Sequence, residues 1–80
     1  MTAEWKTCDI ERSINEGIRR MKGIGRTPET VYMSPATRCQ MIAESPHITC
    51  ALERGKIVEY IFGLKVEIRE DFEDNKIYIE

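Results

Sequence analysis

Hydrophobic residues recur along this chain in two periods, and the change of period marks out its elements. Ile10, Ile14, Ile18 and Met21 stand at i, i+4, i+8 and i+11, one apolar stripe on a helix. The stripe predicts a first helix within residues 2–23, with Cys8 extending it and Thr7 as its N-cap. Asp9 and Glu11 fall in the first turn, and Arg19, Arg20 and Lys22 near the C-terminal end, as the helix dipole favours. Gly17 is discordant: it costs about 1 kcal/mol against alanine and marks a place where another element packs closely. Gly23 is the expected stop, with Gly25 and Pro28 making the linker.

Thirteen residues from Thr30 to Ile42 then read as strand, cap and helix. Val31, Tyr32 and Met33 suit a half-buried strand. Ser34 offers a hydroxyl to the free N–H groups of a helix start, and Pro35 fits the first helical position. Ala36, Cys39, Ile42 and Ala43 repeat at three- and four-residue spacing, which predicts a buried stripe. Ser45-Pro46 ends this helix, because a residue before proline is pushed out of the α region. Residues 46–55 are either loop or carry one helical turn at Cys50 to Arg54, closed by Gly55.

Period two takes over in the last third. From Lys56 to Phe62 the chain is β-rich without clean alternation and suits a short strand or extended segment. Leu64 to Arg69 alternates apolar and charged, and Lys76 to Glu80 alternates again, with Ile77 and Ile79 on one side. The acidic run Glu70, Asp71, Glu73 and Asp74 lies between them, with Phe72 folding back over the core. The two alternating runs are expected to pair as an antiparallel hairpin, with Val66, Ile68, Ile77 and Ile79 facing the helices. The fold class is α+β, one domain over residues 1–80: helix, strand, helix, then a C-terminal hairpin, with both helices on one face of a small sheet. Such a sheet has an open edge where another chain can pair.

Composition narrows the function classes. In 80 residues, 41% hydrophobic and 32% charged positions describe a globular chain rather than a disordered one. So short a chain buries only about 60–65% of its unfolded surface, which makes help from a second subunit physically sensible. The net charge of −2 gives no overall attraction to nucleic acid. No apolar run approaches the roughly 20 residues of a membrane span, and the first residues lack the apolar core of a secretory signal. Cys8, Cys39 and Cys50 are odd in number and contain no Cys-x-x-Cys pair, so a cytoplasmic location with free thiols is expected, and no membrane partner.

Each candidate site has a plain structural alternative. His47 and Cys50 have a spacing that a metal can use, with Cys39 or Cys8 as further ligands, but structural zinc normally takes two paired-ligand motifs. Buried or incidental thiols are the favoured reading, and no metal or other cofactor is expected. A Cys39 nucleophile beside Arg38 conflicts with its place on a buried stripe. No nucleophile elbow and no Gly-x-x-x-x-Gly-Lys loop is present, so no catalytic residue is assigned. Arg19, Arg20, Lys22 and Arg26 form the most basic region, a candidate contact for nucleic acid or an anion, or simply a well-placed helix end. The acidic run lacks the spacing and glycine of a calcium loop. Trp5 is either a staple on the helix start or an exposed anchor for a partner.

The segment VYMSPATRCQMI, followed later by IFGLKVEIREDFEDNKIYI, resembles the A domain of tailed-phage major capsid proteins. In that domain a strand runs into a proline-marked helix start, and a Gly-x-x-Val strand, an acidic turn and a final strand follow. Met33-Ser34-Pro35, Gly63 to Val66 and Asp71 through Ile79 carry the match over residues 28–80. The helix at residues 8–22 takes the place of the one before that first strand. Eighty residues leave no room for the arm, spine helix and extended loop of a shell subunit. The resemblance implies a small phage or prophage protein with an A-domain-like core, and transfers no functional residue. The expected function is a non-enzymatic structural or protein-interaction module that engages a protein partner or a second copy. The alternative is a nucleic-acid-binding accessory protein using the basic helix end.

Overall fold

A computed structural model describes residues 10–74 and 76–80, together with the strand backbone of residues 2–4. The fold is α+β, with a six-stranded mixed sheet. The strands are β1 (Thr2–Glu4), β2 (Thr30–Met33), β3 (Ile48–Glu53), β4 (Lys56–Ile61), β5 (Leu64–Ile68) and β6 (Lys76–Ile79); the helices are α1 (Ile10–Gly23) and α2 (Pro35–Glu44). Across the sheet the order is β1-β6-β2-β5-β4-β3. Only β2 and β5 run parallel; every other neighbouring pair is antiparallel.

The expected C-terminal hairpin does not form. β2 lies between β5 and β6, with Val31 opposite Val66 on one side and Ile79 on the other. Alternation identifies a strand and its buried face, but leaves its neighbours unspecified. A central place suits β2, since Val31 and Met33 are fully buried and both of its edges are satisfied. The first element also differs from expectation. Thr2–Glu4 is a strand that covers the outer edge of β6, and the described helix begins at Ile10, where the apolar stripe begins. Trp5, Thr7, Cys8 and Asp9 lie outside the described residues.

Helix α1 buries Ile10, Ile14, Gly17 and Met21, the face that the stripe predicts. Gly17 explains itself: a Cβ there would sit 2.4 Å from Ile79 Cδ1, so glycine lets α1 cross β6 closely. The helix ends in a Schellman arrangement with Gly25 at C′, the Arg26 N–H donating to Met21 O at 2.9 Å and the Gly25 N–H to Lys22 O at 3.1 Å. Helix α2 starts as expected. Ser34 Oγ accepts from the Thr37 N–H at 3.1 Å, and Pro35 occupies the first turn. Its orientation is the opposite of the one the stripe predicts. Thr37 and Met41 are buried, whereas Ala36, Cys39, Ile42 and Ala43 face solvent. Ser34 is tied to Asp74 at 2.8 Å and to Thr37 Oγ1 at 2.9 Å, which holds the polar N-terminal end of α2 inward. Polar anchoring wins over a stripe in which Ile42 is the one large side chain and the rest offer little area to bury.

Residues 46–55 are neither loop nor helical turn. They supply β3 and the tight connection to β4, where Arg54 and Gly55 have φ of 51° and 77°. Phe62 and Gly63, at 50° and 81°, make the same kind of connection between β4 and β5. Positive φ at both central residues is the two-residue turn whose twist suits a hairpin. Val66, Ile77 and Ile79 join the core as expected, together with Ile61 and Leu64, while Ile68 at the end of β5 is 37% exposed. Phe72 packs on the other side of the sheet, its ring 6.4 Å from that of Tyr32.

Candidate interaction surface

Strand β3 is an edge of the sheet, and from Thr49 to Glu53 every residue is exposed. Its register with β4 pairs Glu53 with Lys56 across the turn, then Leu52 with Ile57, Cys50 with Glu59 and Ile48 with Ile61. In a two-residue hairpin the pair flanking the turn is hydrogen-bonded and the ladder then alternates. Ile48, Cys50 and Leu52 therefore turn their main-chain N–H and C=O groups away from β4, toward the open edge. From Ile48 to Leu52 that edge carries no charge, no proline and no bulge, the devices that usually blunt such a strand.

The same hairpin runs beyond the helices. Leu52 and Ile57, opposite each other on the face that Ile61 shares with the core, are 74% and 76% exposed. Cross-strand apolar pairs are normally buried or covered. Nearer the body, Arg38 of α2 grips Glu59 of β4 in a fork, with Nε to Oε1 at 2.6 Å and Nη2 to Oε2 at 2.8 Å. That hydrogen bonding holds the Arg38 guanidinium above its ordinary pKa, with smaller electrostatic contributions from Glu59, Cys39 and Cys50. The fork anchors α2 over β4 and leaves β3 uncovered. Ile42, 44% exposed, is one turn on from Arg38 and lies on the same flank of α2 as the fork.

Pairing between β4 and β5 stops at Tyr60 and Lys65, so the two strands splay. A cleft of about 640 Å³ opens there, lined by Arg38, Ile57, Glu59, Val66 and Ile68 among others. A second, shallow hollow of about 270 Å³ lies on the far face of the sheet, between Tyr32, Arg69, Phe72, Tyr78 and Glu80. Arg69 lies over the Tyr32 ring there, 5.9 Å from its centroid.

The residues singled out from the sequence are distributed differently. Arg19, Arg20, Lys22 and Arg26 are exposed at the end of α1 and the turn after it. Among the described residues no carboxylate lies within ion-pair distance of any of them. Trp5 is outside the described residues. His47 Nδ1 is 2.7 Å from Glu11 Oε1, and its ring lies against Phe62. That hydrogen bond, and a second from Ser45, hold the Glu11 carboxyl below its ordinary pKa. Cys39 is exposed on α2, a correction to its expected burial, and Cys50 is exposed on β3. Among the described residues no three His, Cys, Asp or Glu side chains gather as a metal site, and no helix is long and apolar enough to cross a membrane.

Sequence reasoning missed β3 altogether. The available signal was Arg54-Gly55, with β-rich runs of equal length on either side. No protein-family model, curated protein or solved structure matches the chain.

Proposed function

We propose that this protein is a non-enzymatic interaction module of phage or mobile-element descent, working through contacts made by its open strand. The observation that carries the reading is the uncharged edge of β3, with the Leu52–Ile57 pair left bare on the hairpin behind it. An added strand takes its affinity from main-chain hydrogen bonds and its selectivity from alternate side chains, and both are on offer here. The descent rests on the capsid-like run from Met33-Ser34-Pro35 to Ile79. A photoreactive amino acid at position 52 tests the reading in cells that make the protein. Protein adducts are expected there and not from the same probe at Arg20. No adduct at position 52 would refute it.

The basic end of α1 favours a second reading, contact with nucleic acid, because Arg19, Arg20, Lys22 and Arg26 are exposed and face no acidic partner among the described residues. Binding to mixed-sequence DNA or RNA would then weaken steeply with salt and be lost in Arg19→Glu/Arg20→Glu.

A further inference from the structure

We infer that the occupant of the β3 edge is a second copy of this chain, paired antiparallel about a two-fold axis through Cys50. The inference rests on the interaction reading above and names its partner. Ile48, Cys50 and Leu52 direct their main-chain groups outward, and they are spaced evenly about Cys50. Centred there, Cys50 faces Cys50 of the second copy and Ile48 faces Leu52, each pair exchanging two main-chain hydrogen bonds. Shifting the axis by one residue in either direction brings Pro46 or the Arg54 turn opposite the strand and shortens the ladder. The central segment is uncharged, so the axis brings no like charges together, and Glu53 falls opposite His47 rather than another acid.

The two-fold axis is perpendicular to the sheet, so the helix-bearing faces of both copies lie on one side. Ile48, Cys50 and Leu52 of each copy then form a shared apolar floor between the two α2 helices. With α2 held over β4 by the Arg38–Glu59 fork, the helices stand three strand spacings apart, about 14 Å. Directly packed helices approach to about 8–10 Å, so these do not collide. Ile42, one turn on from Arg38 and so on the same flank of α2, borders the space left between them. A strand contact alone is small beside the roughly 1,200 Å² that a stable interface buries, and contact through Ile42 of each copy is what enlarges it. One symmetric contact thus pairs the free edge and gives Leu52 and Ile42 apolar neighbours.

Cys50 reports the register. Hydrogen-bonded antiparallel partners have Cα atoms about 5.5 Å apart, within the range that a disulfide spans. In a Cys8→Ser/Cys39→Ser background, light scattering should give twice the 9.3 kDa chain mass, and copper-phenanthroline oxidation should join two copies through Cys50. Cys50→Pro removes an outward N–H without touching the β4 ladder and should give a folded monomer. Leu52→Lys should do the same by placing a charge on the apolar floor. A wild-type monomer at every concentration up to about 1 mM overturns the inference, as does a dimer that does not cross-link at Cys50 or that survives Leu52→Lys. The photoreactive probe at position 52 separates the two levels. An adduct only with a different protein upholds the interaction reading and overturns the second copy, and no adduct overturns both.

Discussion

Replacing Ser34 by alanine tests the contact that turns α2 inward. Ser34 is 2% exposed, and its hydroxyl serves three partners: the Thr37 N–H at 3.1 Å, Thr37 Oγ1 at 2.9 Å and Asp74 Oδ1 at 2.8 Å. Losing a serine N-cap costs about 1 kcal/mol. The Asp74 contact adds less than the 1.5–3 kcal/mol or so of a buried charged hydrogen bond, because that carboxylate is exposed and water replaces the partner. The expected loss is about 1–2 kcal/mol. For a domain of this size each kcal/mol moves the melting midpoint by about 4–8 °C, so a fall of roughly 5–15 °C should follow. Urea unfolding followed by far-ultraviolet circular dichroism measures it, at one fixed protein concentration, since the proposed dimer would make the midpoint concentration-dependent. A double-mutant cycle with Asp74→Ala isolates the long-range tie. A loss of under about 0.3 kcal/mol, within the spread of neutral surface changes, would refute the account of how α2 is anchored.

Other outcomes follow from single contacts. Gly17→Ala gains about 1 kcal/mol of helix propensity but forces a methyl group against buried Ile79, which costs about 1–3 kcal/mol; equilibrium unfolding should show no net gain, and a full gain would deny the close crossing. Arg54→Asn places a residue tolerant of positive φ at 51° and should raise the melting temperature by a few degrees; a fall would contradict the turn geometry. Glu11 has its folded pKa below the ordinary 4.5, so its contribution is complete above about pH 4.5 and is lost as pH falls through the lower folded value. Glu11→Gln should therefore be less stable at neutral pH and show a flatter acid limb in pH-dependent unfolding. An unchanged acid limb would mean that the Ser45 and His47 contacts do not hold the carboxylate.

Much of the fold is legible in the residues themselves. The stripe from Ile10 to Met21 determines a helix and its buried face, because a 3.6-residue period leaves one line of large side chains with nowhere else to go. Ser34-Pro35 determines where α2 starts, and the alternation in β5 and β6 determines which side of each strand is inward; all of these are local properties of the backbone and its neighbours. Strand order is not local. Whether β5 meets β6 or β2 depends on how all the strands pack together, and no single segment encodes that. The face of α2 was decided in the same way. Its outward stripe has one large side chain, Ile42, so the long-range tie from Ser34 to Asp74, the Arg38–Glu59 fork and the burial of Met41 outweighed the pattern. The exposure of Cys39 and Ile42 follows from that inversion. Sequence determined that the run from Ile48 to Leu52 carries no charge, and only the tertiary structure left it at an edge of the sheet, where its main-chain groups turn outward.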